Sequence, residues 1–251
     1  MKTKHHLFLI ILTFIGMMEV TTDRSAAQDT FIPLHECGIW VAGIKVTPDN
    51  SSRITGPGIK GNVSFNYQEQ TLYLWSAQIE GDYGIYVHLA YPIRIYISGE
   101  NFIAGESAAI KTASPIEIEG SSLTLWSKEG RAICAEGLGL ANLKIERAAI
   151  RAYAPIYVVG KLQINNSNVN VSLIDYGNTD YIYKAGRLEI TNCKVVYPEM
   201  TRIIERPSNF YKSSLIVMPD STIPKEVCIS TISKCVGFVK TYNTRNTNYF
   251  K

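Results

Sequence analysis

The chain has 251 residues, 46% of them hydrophobic and 19% charged, and 25 Lys and Arg against 22 Asp and Glu leave a formal net charge of +3. So mild a balance excludes the clustered cations of a nucleic-acid grip. The length suits one β-rich domain, because barrels and solenoids reach this size without splitting.

Residues 1–27 read as a secretion signal. Lys2 and Lys4 give a positive start, Leu7 to Met18 is an apolar run, and Ser25-Ala26-Ala27 offers small residues for cleavage before Gln28. The run is too short to span a bilayer core of roughly 30 Å, no cysteine follows it to carry a lipid, and no later segment is apolar enough for a transmembrane anchor. Cleavage lowers the net charge to +2. The reading is a protein that is secreted, periplasmic or on the cell surface.

Residues 28–65, with Trp40, Pro48 and Pro57, read as an N-terminal cap with a first short coil. A repeat then occupies residues 66–197. An aliphatic residue, any residue, a second aliphatic and, five positions on, a third apolar residue recur as Leu72-Leu74-Ile79, Ile95-Ile97-Phe102, Ile116-Ile118-Leu123, Leu143-Ile145-Ile150, Leu162-Ile164-Val169 and Leu188-Ile190-Val195. Ile85, Ile110, Ile133, Ile156 and Ile182 add a further strand per unit. Each precedes an outward residue: Tyr86, Lys111, Cys134, Tyr157 and Tyr183. Alternation at period 2 marks strands with one buried face.

Such short units cannot bury their own apolar faces, but stacking at roughly 4.8 Å per coil does so. The turn after each first strand holds Ser76, Gly99, Gly120, Arg147, Asn166 and Asn192, mostly residues that accept a positive φ at a sharp corner. The expected fold is all-β, a right-handed parallel β-helix of about six to seven coils with atypical terminal caps. Residues 198–251, broken by Pro198, Pro207, Pro219 and Pro224, read as an irregular C-terminal cap and tail. Leu215 and Val217 are the start of a degenerate seventh coil in this reading.

Five cysteines remain after the signal. Cys228 and Cys235 are the expected disulfide, and an odd count leaves at least one thiol unpaired internally. No C-x-x-C spacing occurs and only His35 and His88 survive cleavage, which argues against a zinc site.

The stretch Ile39-Trp40-Val41-Ala42-Gly43-Ile44-Lys45-Val46-Thr47, then Asn50, Gly58, Asn62-Val63-Ser64-Phe65 and Thr71-Leu72-Tyr73-Leu74, resembles the opening of bacterial secreted and surface domains that read LWVGGxxVTxxN…GxVSYdxxxxTLTL. Those domains are similar to parallel β-helix modules of the carbohydrate-binding, adhesin-like type. The resemblance covers roughly residues 39–197. It implies secretion and a surface role, but no reaction and no catalytic residues. Tyr73 and Trp75 stand here where small polar residues are common in those sequences.

Alternation sends Tyr73, Trp75, Tyr96, Glu117, Glu119 and Glu146 outward on the long sheet, with Arg94 and Lys144 beside them. These six are the candidate ligand residues. Flat rings cover the apolar face of a pyranose while carboxylates take its hydroxyls, so the expected partner is a polysaccharide or surface glycan. The three glutamates have two other readings, a Ca²⁺ site and a catalytic pair for glycoside cleavage. Glu, Lys and Arg on a solvated surface is the plain one. No nucleophile elbow or phosphate loop occurs. The leading function is an exported, non-enzymatic binding or adhesive module. A polysaccharide-degrading β-helix enzyme, lyase or hydrolase, and a structural surface spacer are the alternatives.

Overall fold

The computed structural model describes residues 38–137, 141–173, 179–207 and 212–231. The signal, Cys37, Cys235 and the tail from Thr241 lie outside the described residues. Within them the chain is all strand and no helix, so no helix long and apolar enough to cross a membrane occurs there. Three strands come first, β1 (Gly38–Val41), β2 (Ile44–Lys45) and β3 (Ile59–Asn66). The winding region follows with β4 (Thr71–His88), β5 (Ile93–Thr112), β6 (Ile116–Ser127), β7 (Arg131–Ala135), β8 (Leu143–Glu146), β9 (Ala149–Ala152), β10 (Ile156–Asn165), β11 (Asn168–Ser172), β12 (Tyr183–Thr191) and β13 (Lys194–Tyr197). Last come β14 (Arg202–Pro207), β15 (Lys212–Val217) and β16 (Glu226–Ser230).

The winding region is a parallel β-solenoid with three faces. On the first face, Leu72, Ile95, Ile118, Ile145, Ile164 and Ile190 pair in succession across β4, β5, β6, β8, β10 and β12. That column spans five turns rather than six or seven coils. All but Ile190 are fully buried, because each is covered on both sides by its equivalents. Ile190 is half-buried, since no described strand lies beyond it on this face.

The sequence spacing pairs Ile95 with Ile116, whereas the hydrogen bonds pair Ile93 with Ile116 and Ile95 with Ile118. The first two turns carry two extra residues before the corner, so aligning corners misaligns the ladder. A slip of two residues preserves the inward and outward sets, whereas a slip of one exchanges them. The corner itself is where the repeat places it. Ser76, Gly99, Gly120, Arg147, Asn166 and Asn192 all have positive φ. Only Gly fits at Gly120, where a Cβ would lie 2.0 Å from the Ile97 carbonyl oxygen.

The third face shows the slip of one. Ile85, Ile110, Ile133 and Ile156 stack, and the next position is Tyr183 rather than Ile182. Tyr183 therefore points inward and is fully buried, correcting its outward assignment. Lys184 takes the outward place beside Tyr157.

Antiparallel strands pair with the solenoid at both ends. At the start β3 pairs with β4, and β1 lies on the third face with Trp40 opposite Tyr86. At the far end the segment expected to be irregular holds three strands. β15 pairs antiparallel with β12 and β14, so Leu215 and Val217 start no seventh coil. β16 enters the second face between β11 and β13, antiparallel to both, and displaces the sixth unit's Val195 from the ladder of Val169. Where it reaches, antiparallel cover removes parallel edges that another chain could extend, whereas on the first face no described strand lies beyond Arg187 to Thr191 of β12.

Candidate functional site

Alternation on the first face turns one set of side chains to solvent, and neighbouring turns bring equivalents together. Tyr73 pairs with Tyr96 in register, and Trp75 with Ser98. The rings of Tyr73 and Trp75 stack with centroids 5.6 Å apart, and Tyr96 meets Tyr73 edge-on at 5.7 Å. Trp75 is 44% and Tyr96 37% exposed. The described part of the cap does not cover them: β3 sets Asn62 beside Trp75 and Ser64 beside Tyr73. The Tyr73 hydroxyl bonds to Glu69, and that bond holds its phenol above the ordinary value.

The three glutamates follow one and two turns on. Arg94, Glu117 and Lys144 form one outward column and Tyr96, Glu119 and Glu146 the next. Glu117 contacts Lys144 Nζ at 2.8 Å and Arg94 at 3.9 Å. Glu119 contacts Arg94 at 3.6 Å and also Arg147. Glu146 accepts from Asn165 Nδ2 at 2.7 and 2.9 Å and lies 3.4 Å from Lys144 and 3.3 Å from Arg147. It is buried although it points outward. The Asn165 hydrogen bond, then Lys144 and Arg147, hold its carboxyl below the ordinary carboxylate range.

This geometry bears on the two sharper readings. A cation seated among Glu117, Glu119 and Glu146 would have to displace Lys144 and Arg147. Among the described residues no group of three or more His, Cys, Asp or Glu is placed to hold a metal ion. A general acid needs a raised pKa, and Glu146 moves the other way. The glutamates form a lattice of ion pairs.

Four other residues near these were not among the candidate ligand residues. Arg147 and Asn165 join the lattice only because successive turns stack them on Glu119 and Glu146. Tyr67 and Tyr91, 40% and 41% exposed, fall in the turns leading into the first face. Burial, then Tyr91, pushes the Tyr67 phenol up. A tyrosine recurring in that turn was the available signal.

The third face carries a second cluster, the outward column Trp40, Tyr86, Lys111, Cys134, Tyr157 and Lys184. Trp40 and Tyr86 are in contact at 5.3 Å and buried, so they offer no surface. Arg131 lies over the Tyr157 ring at 4.7 Å and donates to the Tyr181 hydroxyl at 2.6 Å. Arg131, Tyr181, Thr179, Asp180 and Glu129 border an open depression of about 340 Å³. Cys134 and Cys193 are free thiols, whereas Cys228 is disulfide-bonded.

No family model, no curated protein and no solved structure matches this chain.

Proposed function

We propose that the protein is an exported, non-enzymatic binding module that holds polysaccharide on the first face of its solenoid. One observation carries the reading: Tyr73, Trp75 and Tyr96 form a contiguous, solvent-facing aromatic surface on a backbone held rigid by strands on both sides. Solvent-exposed apolar patches mark interaction sites, and flat rings with polar tips suit a sugar, whose ring faces are apolar and whose rim carries hydroxyls. The paired Glu117 and Glu119 beside them supply hydroxyl-binding groups without free charge. Export is supported by the charged and apolar pattern of residues 1–27 and by the disulfide at Cys228, a bond that persists in oxidising compartments.

The test is retention of the purified protein by a panel of immobilised polysaccharides, comparing the wild type with Trp75→Ala. The side chain makes no core contact, so the variant keeps its melting temperature and loses retention. Equal retention of both proteins would return these aromatics to a structural role.

A further inference from the structure

The aromatic surface covers only the first two turns of the first face, and what lies beyond it is continuous. Arg94 contacts Glu119 at 3.6 Å, Glu119 contacts Arg147, and Arg147 reaches Glu146 at 3.3 Å. Asn165 donates to Glu146 at 2.7 Å, and Asn192 donates to Asn165 at 3.0 Å. One line of polar groups thus runs from the aromatics to the last turn. Its members advance in register, since Tyr96, Glu119, Glu146, Asn165 and Thr191 share a column. Arg147 and Asn192 are exposed along it. The advance is roughly 4.8 Å per turn, close to that of one pyranose unit in an extended polysaccharide.

From the aromatics to Arg147 the charges on this face are matched among themselves, three cations to three glutamates. Arg94 pairs with Glu117 and Glu119, Lys144 with Glu117 and Glu146, and Arg147 with Glu119 and Glu146. Lys161 and Arg187 both pair with Glu189. Glu189 is shared by two cations, but a uronate or sulfated sugar laid over Arg94, Lys144 and Arg147 would meet no unmatched cation and would have to displace a glutamate from its partners. Uncharged hydroxyls meet no such cost, because the donors and acceptors of an exposed ion pair remain free to bond in other directions.

Resting on the reading that the aromatic surface takes polysaccharide, we infer that the first face is a linear track for an uncharged, extended polysaccharide lying along the solenoid axis. Trp75, Tyr73 and Tyr96 anchor one end, and Arg147, Asn165 and Asn192 bind hydroxyls of the following sugars.

The experiment is affinity electrophoresis of the purified protein through neutral polymers (hydroxyethyl cellulose, xylan, galactomannan) and acidic ones (carboxymethyl cellulose, polygalacturonate, alginate). Titration with oligosaccharides of increasing length, cut from the polymer that is retained, follows. The track predicts Trp75-dependent retention by a neutral polymer, insensitive to salt. Affinity then rises until the oligosaccharide spans the column, about five or six sugars over roughly 24 Å. Arg147→Asn, which keeps a residue tolerant of the left-handed corner, weakens long oligosaccharides about fivefold and leaves the shortest unchanged. Its melting temperature is the control for folding. Retention by acidic polymers alone, or affinity that stops rising at the length the aromatics cover, overturns the track and leaves the aromatic binding reading standing. No Trp75-dependent retention on any polymer overturns both.

Discussion

The Asn101 side chain accepts a hydrogen bond from the backbone N–H of Ala77, 2.9 Å away in the preceding turn. Its amide donates to the carbonyls of Ser98 at 3.0 Å and of Gly99 and Ser122 at 3.3 Å. One buried amide therefore ties three consecutive turns at the corner, where the backbone leaves the ladder and its polar groups need other partners. Asn101→Ala strands the Ala77 N–H and these carbonyls without replacement. The expected loss is about 1–3 kcal/mol, read as a lower urea midpoint with unchanged slope. An unchanged midpoint would mean that water serves the corner equally well.

Ile145 sits in the interior column between Ile118 and Ile164. Ile145→Ala opens a cavity and costs about 2–5 kcal/mol. Ile145→Asp buries a carboxylate with no partner and is expected to unfold the domain. Circular dichroism and thermal melting check both. A well-folded Asp variant melting like the wild type would contradict the register.

Tyr183 occupies an interior place meant for an aliphatic residue, and its buried hydroxyl has no hydrogen-bond partner among the described residues. Burial drives its phenol far above the ordinary range. Tyr183→Phe keeps the ring and removes the stranded hydroxyl, so stability rises by about 1 kcal/mol. A fall in melting temperature would show that the hydroxyl is bonded after all.

Glu146 titrates below the ordinary carboxylate value because Asn165 and then Lys144 and Arg147 favour its ionised form. A folded-state pKa below the unfolded one means that the unfolded chain binds the proton more tightly. The contribution is complete above the unfolded value of about 4.3 and disappears as pH falls through the lowered folded value. Asn165→Ala removes the first of these causes. Its stability deficit against the wild type is expected to be full at pH 7 and to narrow below about pH 4. A deficit constant from pH 7 to pH 3 would assign Asn165 a packing role only.

Cys134 is a buried member of the outward column of the third face, and burial pushes its thiol up to about 11. The thiolate is the reactive form, so iodoacetamide at pH 8 is expected to leave Cys134 unlabelled in the native protein and to label it after denaturation. Peptide mass spectrometry reads the site. Native labelling at Cys134 would show that the third face opens.

Period-2 alternation was enough to place Leu72, Ile95, Ile118, Ile145 and Ile164 inside and Tyr73, Trp75, Tyr96, Glu117 and Glu119 outside. The face a strand residue takes depends only on parity, and parity survives the two-residue error in aligning Ile95. The corners were legible for a similar reason, since a sharp turn selects residues by local backbone conformation. Tyr183 escaped because the pairing of Ile156 with Tyr183 lies one residue beyond the apolar alignment on Ile182, and both residues are buried, so the local sequence does not tell them apart. The insertion of β16 beside β11 was also out of reach, because it depends on backbone hydrogen bonds between segments more than fifty residues apart, which any strand sequence can make. The carboxylates show the same division. Sequence put Glu117, Glu119 and Glu146 on one face, but their meaning followed from which cations the neighbouring turns stack against them. Local chemistry decided which way each side chain points, and the stacking of turns decided what it meets there.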